Sequence, residues 1–256
     1  MTEAKTEKHP ELKKLDALIS KTWAELLSRP IAMEFLTNNA SADRRAYAIY
    51  LTQAYHYTYH TARNQGLVGV NARNRDVHYM RYCFEHALEE TGHELMALHD
   101  LKAIGIRFVD PQQDLPRPLP STELLVAYLY YVATQGNPVQ RLGYSYWAET
   151  AYPFGGPFLE GMRTRMKLDK AQMTFFYVHA KLDEKHANDV AEALVSACKT
   201  DEDWIAVRRV TETTIRVTFQ MIEDCMREYE RVAAGTPTDY ASYTAMLAEA
   251  PALRAE

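Results

Sequence analysis

Glycine, proline and cysteine are scarce in this chain of 256 residues, and each shortage excludes a class of protein. The 10 glycines and 11 prolines gather at a few breaks, and the segments between them show neither strand-like alternation nor an Asn-Gly or Asp-Gly hairpin signal. A β-sheet protein is therefore disfavoured. The 3 cysteines, Cys83, Cys198 and Cys225, lie far apart without a CxxC motif. Their spacing excludes a disulfide framework and favours a reducing compartment.

The sequence also lacks long hydrophobic runs, clustered positive charge and nucleotide-binding loops. No apolar run approaches the ~18 residues that a membrane helix needs. The segment MTEAKTEKHPELKK is too polar for a secretory signal, so we expect a cytoplasmic protein without a membrane partner. The net charge of −5 and the pI near 6.0 disfavour nucleic acid as a partner. Without GxGxxG, Walker or GxSxG motifs, the usual dinucleotide-binding, P-loop and serine-hydrolase sites are excluded.

The apolar residues recur with helical spacing. This periodicity predicts helices near residues 10–29, 42–66, 74–104, 121–134, 138–165, 170–198 and 202–233. The chain length favours a single domain. We therefore expect an all-α bundle of about seven helices with an internal cavity over residues 1–237. A tail, residues 238–256, is expected to pack back onto it as a short helix.

The chain contains the same pattern of histidines and carboxylates twice. The pattern is a histidine, a carboxylate four residues later and a second histidine three residues further on. Its copies are His86, Glu90 and His93, and then His179, Asp183 and His186. In a helix these offsets place all three side chains on one face. Two such faces turned toward each other would offer four imidazoles and two carboxylates to one cavity, a donor set that favours iron or manganese over zinc.

Three further residues are candidate ligands. Glu149 is a lone acid on an otherwise aromatic and small-residue helix, and we expect it to bridge two metal ions. His60, four residues after His56, can be aimed at the cavity by one face of its helix. Glu89 also lies on the stripe of the first copy and competes with Glu90, although the repeated spacing favours Glu90.

Tyrosine is abundant, with 17 residues. Buried tyrosine hydroxyls need hydrogen-bond partners, and a polar cavity that holds metal ligands would supply them. Three tyrosines on the helices that bear site residues, Tyr57, Tyr146 and Tyr152, are candidates for the substrate pocket. A lining of tyrosine, histidine and acid predicts a small polar substrate.

At these residues the sequence resembles the haem-oxygenase-like di-metal oxidases and oxygenases, which are relatives of the TenA and PqqC folds. The resemblance covers about residues 20–230. It rests on the HxxxDxxH pattern of the sixth helix, on EETGH followed by LKAIG in the third, and on LGYSYWAET in the fifth. It implies a haem-oxygenase-like fold, two Fe(II) ions per chain and O2 as co-substrate. It also implies these metal ligands: Glu90, His93, Glu149, His179, Asp183 and His186.

The chain departs from the family pattern at one point. Many members carry a glutamate about seven residues before the third-helix histidine or on the preceding helix, where this chain has His86 and His60. With histidine in these places, the resemblance implies a less negative site. Its second iron would bind weakly, or only when substrate and O2 arrive. His86 and His60 thus join the expected metal-binding residues.

Members of the resembled family oxidise small molecules by amine N-oxygenation, by C–C cleavage of amino acids or fatty acids, or by forming para-aminobenzoate from their own residues. For this chain we expect N-oxygenation of a small amine or amino-acid-like substrate. The enzyme would take electrons from an external donor and form a homodimer. One alternative is a metal-free TenA- or PqqC-like hydrolase or oxidase, with Cys83 as the nucleophile of the hydrolase. Another is a helical module that binds a small ligand without catalysis.

Overall fold

A computed structural model describes residues 8–31, 43–72 and 77–249 of the protein. The side chains of residues 152–155, 157–158 and 179–185 lie outside the described residues. The helices are α1 Pro10–Leu27, α2 Arg44–Thr58, α3 Thr61–Asn71, α4 Val77–Glu89, α5 Glu94–Ala103, α6 Pro111–Asp114, α7 Pro120–Thr134, α8 Leu142–Glu149, α9 Tyr152–Met166, α10 Thr174–Ala197, α11 Asp201–Ala233 and α12 Ser242–Glu249. The described ranges contain no β-strand, and none of their helices is both long and apolar enough to cross a membrane.

The helical architecture confirms the predicted all-α fold class, but three predicted helices are divided in two. These are the helices expected over 42–66, 74–104 and 138–165. Backbone chemistry explains two of the divisions. Gly92, with a φ of +93°, takes a conformation that other residues rarely adopt, and it separates α4 from α5. Pro153 lies in the first turn of α9, where a missing N–H leaves no helical hydrogen bond unmade.

The longest helix, α11, packs against α1, α2, α7 and α8. A capping box begins it. The Thr200 hydroxyl accepts a hydrogen bond from the N–H of Asp203, and the Asp203 carboxylate accepts one from the N–H of Thr200. Its residues Val207, Val210 and Ile215 are fully buried in one of the two hydrophobic clusters of the bundle. Of the helices that bear the site, α8 therefore rests on α11.

Helix α10 packs against α5 and α8, and a side chain of α5 holds its first turn. The first N–H groups of a helix have no partner within that helix. Here the backbone N–H groups of Thr174 and Phe175 each donate to the carboxylate of Asp100 at 2.9 Å, and the Thr174 hydroxyl donates to it at 2.6 Å. Asp100 is fully buried. This contact fixes the beginning of α10 against α5.

The segment after residue 237 packs into the same core. The hydroxyl of Tyr243, on α12, lies 2.8 Å from that of Thr52 on α2. The Gln53 amide donates to the Tyr240 hydroxyl at 2.7 Å. Both tyrosines are buried in the second hydrophobic cluster. The short helix expected after Pro237 is therefore present, and it is part of the bundle.

Candidate metal centre

Five of the predicted ligands come together in the interior of the bundle. His86 comes from the last turn of α4, Glu90 and His93 from the break before α5, Glu149 from the end of α8, and His186 from α10. Their side chains are buried or nearly so. We call these five residues the ligand group. His186 of the second copy thus meets the first copy of the pattern, although His86 and His186 lie 100 residues apart in the chain.

Glu149 lies between two imidazoles. Its Oε1 is 3.6 Å from Nε2 of His86, and its Oε2 is 3.4 Å from Nδ1 of His186. The centres of the two imidazole rings are 6.1 Å apart. Each carboxylate oxygen therefore faces a different histidine, which is the arrangement that a bridging carboxylate needs.

Glu90 extends the ligand group on the side of His93. Its Oε2 lies 3.2 Å from Nδ1 of His93. One donor atom each of His86, Glu90 and Glu149 lies within 4.8 Å of the other two, so these three side chains can hold a metal ion together. Part of the predicted donor set is therefore in place, because these side chains lie close enough together to share a metal ion.

The first copy of the pattern does not lie on a continuous helix face, and the expectation that it would is wrong. His86 belongs to α4, but the chain leaves the helix at Glu90 and enters α5 only after His93. The positive φ of Gly92 makes this turn possible. The signal was present in the sequence, because a Thr-Gly dipeptide inside a helical stretch marks a break. The break places Glu90 and His93 beside His86.

Glu149 is positioned by the contact of α8 with α11. A Cβ added at Gly143 would overlap the carbonyl oxygen of Val207, so the two helices touch at this glycine. Near the other end of α8, Nε1 of Trp147 donates to the Thr214 hydroxyl at 2.7 Å. Glu149 is the last residue of α8, where the helix dipole disfavours a negative charge. A buried carboxylate at that end favours a cation nearby.

Helix α10 contributes His186, and the rest of its pattern lies outside the described side chains. The helix continues without a break through positions 179, 183 and 186, so these positions share one face. The side chains of His179 and Asp183 are among those outside the described residues. Nε2 of His186 lies 3.7 Å from the carboxylate of Glu89, which is 38% exposed. Glu90 therefore belongs to the ligand group, and Glu89 lies at its edge.

The histidines and carboxylates shift each other's pKa. Burial alone would raise the pKa of Glu149, but interactions with His186 and His86 outweigh it and lower the pKa to about 2. Burial would also raise the pKa of Glu90, but His93 lowers it below the ordinary value. In return, Glu149 raises the pKa of His186, and Glu90 raises that of His93 against the effect of burial. At neutral pH both carboxylates are therefore anionic and can bind a cation.

Several buried atoms of the ligand group have no hydrogen-bond partner among the described residues. They are both ring nitrogens of His86 and Oε1 of Glu90. A buried polar atom without a partner costs about 1–3 kcal/mol. A metal ion would satisfy one nitrogen of His86 together with the Glu90 oxygen, and a mixture of imidazole and carboxylate suits iron. The residues present therefore fit an iron site.

His60 does not join the ligand group, which corrects the expectation of a metal ligand on α2 or α3. Its Nδ1 lies 2.9 Å from the hydroxyl of Tyr130, and its ring packs edge-on against Tyr59. Burial lowers its pKa, and Arg63 lowers it further. The turn between α2 and α3 directs His60 toward α7 instead of the cavity, because the predicted helix over 42–66 is divided at this residue.

The three predicted pocket tyrosines have different surroundings. Tyr57 contacts both hydrophobic clusters; burial raises its pKa well above the ordinary value, and Glu90 is among the groups that raise it further. Tyr146 faces α1, since its hydroxyl donates to Asp16 at 2.7 Å. The side chain of Tyr152 lies outside the described residues. Of Tyr57 and Tyr146, whose side chains the structure describes, Tyr57 is the one whose charge environment includes the ligand group.

The cysteine of the hydrolase alternative is part of the core. Cys83 is fully buried in the first hydrophobic cluster. Burial raises the pKa of its thiol to about 12. Nucleophilic attack by cysteine requires the thiolate, which forms readily only when the pKa is low and the sulfur accessible. Cys83 therefore has the properties of a structural residue, and a hydrolase that depends on it is disfavoured.

Sequence reasoning missed two residues beside the ligand group. The ring of Tyr82 lies 5.5 Å from that of His86, and Glu149 adds to the effect of burial in raising its pKa. Arg141 is buried with its guanidinium carbon 4.4 Å from the ring centre of Tyr144. An arginine in the apolar stretch before α8 was the available signal, but only the packing of α3, α4 and α8 reveals its burial.

Comparison with known proteins identifies the family. A family model described as iron-containing redox enzyme matches residues 48–221, which include the whole ligand group. A domain of unknown function with a haem oxygenase-like fold from Shewanella denitrificans OS217 is 41% identical, with 92% of this chain and 98% of that chain covered and a TM-score of 0.83.

More distant solved structures share the fold. A TenA homologue from P. horikoshii OT3 is 14% identical over 85% of this chain and 98% of that chain, with a TM-score of 0.64. A CADD-like protein of unknown function from Nostoc punctiforme PCC 73102 is 14% identical over 84% of this chain and 96% of that chain, with a TM-score of 0.63. No match was found among curated proteins. On the family match and the Shewanella relative, the chain belongs to the iron-containing redox enzymes with a haem-oxygenase-like fold.

Proposed function

We propose that this protein is a non-haem di-iron oxygenase that uses O2 to N-oxygenate a small polar amine or amino-acid-like metabolite. The observation that supports it most is the buried contact of Glu149 with both His86 and His186, because it joins the two copies of the ligand pattern through one carboxylate. The unpartnered nitrogens of His86 add to it, since they need a partner inside the bundle.

Two irons would divide the ligands between them. His86, Glu90 and His93 would hold one ion, and His186 would hold the other together with His179 and Asp183 from the same face of α10. Glu149 would contribute one oxygen to each. When bound, the irons supply the redox chemistry with O2. The family supports iron, while the number of ions is our inference from the doubled pattern.

The protein would surround the irons with buried side chains that are anionic or can donate hydrogen bonds. Glu149, with a pKa of about 2, stays ionised in the interior and leaves both of its oxygens available. Burial raises the pKa of Tyr57, Tyr82 and Tyr144, so their hydroxyls keep their protons at neutral pH. These hydroxyls can donate hydrogen bonds to a polar substrate. The reaction would convert amine, O2, two electrons and two protons into hydroxylamine and water, with the electrons from an external donor.

The proposal is tested by measuring O2 uptake and product in the Fe(II)-loaded protein with a panel of primary amines and amino acids. We expect substrate-dependent O2 uptake and a product 16 mass units heavier than the substrate, the mass of one oxygen atom. Glu149→Gln should lower the rate at least ~100-fold, because the amide cannot bridge two cations. His99→Gln is the matched control, since His99 is exposed and hydrogen-bonds the carbonyl of Ala171. O2 uptake that is absent with every substrate contradicts the proposal.

A further inference from the structure

Arg141 is a buried arginine that the ligand group does not use. It ends the 3-10 turn Pro138–Arg141 directly before α8, and it is 1% exposed. Its Nε donates to the side-chain oxygen of Asn64 at 2.9 Å, and its Nη1 donates to the Ser145 hydroxyl at 2.7 Å. Its guanidinium lies over the ring of Tyr144. Two neutral side chains and one aromatic face therefore fix the orientation of the guanidinium.

The positive charge of Arg141 has no anionic partner in the described part of the chain. Its Nη2 is buried and makes no hydrogen bond there, and none of the ion pairs formed among the described residues includes Arg141. Arginine keeps its proton in proteins, so burial does not remove the charge. A buried charge without a counter-charge is strongly unfavourable. The contact with Tyr144 offsets this only in part, because it leaves the N–H groups of Nη2 without an acceptor.

A second unpartnered donor lies near Arg141. The hydroxyl of Tyr82 is buried and has no hydrogen-bond partner among the described residues. Arg141 and Tyr82 each influence the pKa of the other, and the ring of Tyr82 lies 5.5 Å from that of His86. Glu90 also acts on Arg141. The ring of Tyr79 lies 6.4 Å from that of Tyr82, and the Tyr79 hydroxyl donates to the carbonyl of Pro138, in the same 3-10 turn as Arg141, at 2.9 Å. Arg141 and Tyr82 therefore lie in the same part of the interior, with Tyr82 next to the ligand group.

These two donors match one kind of chemical group on a bound molecule, a carboxylate. Nη2 and the phenol hydroxyl are two separate donors, one of them cationic, and a carboxylate offers one oxygen to each. A phosphate has a larger charge and more oxygens than these two donors can satisfy. Glu90 does not fill this place, since its Oε2 faces His93 at 3.2 Å and its Oε1 makes no hydrogen bond to Arg141 or Tyr82.

We propose that Arg141 and Tyr82 bind the carboxylate of the substrate, so that this enzyme acts on amines that carry a carboxylate, in other words amino acids, and discriminates against simple amines. The inference rests on the proposed function for the identity of the reacting amine. The carboxylate site itself is independent of the reaction. Asn64 and Ser145 act as positioning residues that hold the guanidinium.

The test is anaerobic binding to the Fe(II)-loaded full chain, measured by calorimetry. The probes are amino acids paired with the amines that lack only the carboxylate: L-lysine and cadaverine, L-tyrosine and tyramine, L-tryptophan and tryptamine. We expect at least one amino acid to bind at least ~10-fold more tightly than its partner amine. Arg141→Met, which keeps an unbranched side chain without the charged guanidinium, should abolish this preference, and Tyr82→Phe should reduce it. Arg81→Met is the control, because Arg81 is exposed on α4.

The outcomes separate the two proposals. Equal binding of amino acid and amine by the natural protein overturns the carboxylate site, and so does an Arg141→Met variant that retains the preference. If Arg141→Met does not fold, Tyr82→Phe decides: a preference as strong as that of the natural protein overturns the site. Binding that depends on Arg141 without any O2 uptake supports the site and contradicts the oxygenase. O2 uptake that only simple amines stimulate supports the oxygenase and contradicts the carboxylate site.

Discussion

At the scale of single residues, the ligand group depends on buried charges that neighbouring histidines partly compensate. Glu149 and Glu90 are ionised in the interior, where an isolated carboxylate would cost several kcal/mol. Their partners His186 and His93 reduce this cost by their positive charge when protonated. The repeated spacing predicted that His86, Glu90, His93 and His186 come together, and it favoured Glu90 over Glu89. It did not predict that the chain leaves α4 at Glu90, which places Glu90 beside His93.

Replacing Glu90 and Glu89 by glutamine, one at a time, should affect the iron affinity differently. In Glu90→Gln the amide is a weaker ligand of the same shape, so we expect the iron affinity to fall by at least about tenfold. In Glu89→Gln the change lies at the partly exposed edge of the ligand group and should leave the iron affinity within about twofold. Iron bound per chain, measured by elemental analysis across a Fe(II) titration, distinguishes them. A larger loss in Glu89→Gln would reverse the assignment.

Metal affinity should depend on pH through the histidines. The pKa of His186 is raised above 6.5 by Glu149, and that of His93 is raised by Glu90 against burial. A metal binds neutral imidazole, so protons compete as the pH falls through these raised values. We expect Mn(II) affinity, measured by calorimetry between about pH 6 and about pH 8, to rise with pH. A constant affinity over this range would show that these histidines are not ligands.

The stability of the metal-free protein should change in the opposite direction over the same range. A histidine whose pKa is raised by folding stabilises the protein fully below its ordinary pKa of 6.5, and this stabilisation is lost as the pH rises through the raised value. The melting temperature of metal-free protein should therefore fall as the pH rises over this window. In the presence of saturating Mn(II) it should rise instead. The same direction in both samples would contradict the account.

At the scale of elements, the ligands are positioned by α8, which packs against α11, and by α10, which packs against α4, α5 and α8. The sequence predicted the helical stretches that contain the ligands, because apolar residues recur there every three or four positions. It did not predict the breaks after α2, α4 and α8, because a break depends on which local turns the tertiary packing favours. Gly92 and Pro153 were visible signals of two of them. The third, at His60, has no glycine or proline to mark it.

The contact of α8 with α11 can be tested with two glycines. In Gly143→Ala the new methyl group would overlap the backbone of α11, and we expect a loss of about 2–4 kcal/mol in the free energy of unfolding, with weaker iron binding as Glu149 shifts. Gly66→Ala is the matched control. No atom lies within 4 Å of the position of its added Cβ within α3, so it should stabilise the protein by about 0.5–1 kcal/mol. Chemical denaturation of both variants gives the comparison, and equal effects would exclude a close contact at Gly143.

At the scale of the whole molecule, the fold class and the family were accessible from the sequence, and the surroundings of the substrate were not. The doubled pattern and LGYSYWAET lie in the stretch that the family model matches. Arg141 and Tyr82 follow no pattern, because their importance comes from burial among α3, α4 and α8. The homodimer and the external electron donor stay predictions, as does the cytoplasmic location.

The central claim is that the ligand group binds two irons, and diffraction at the iron absorption edge tests it most directly. Crystals of metal-free protein would be soaked anaerobically with Fe(II) and the anomalous map calculated. The account predicts two peaks about 3.5–4 Å apart, one on each side of the Glu149 carboxylate. A single peak there would leave iron binding intact but contradict a di-iron centre. A map without any peak beside Glu149, His86 and His186 would contradict the whole account.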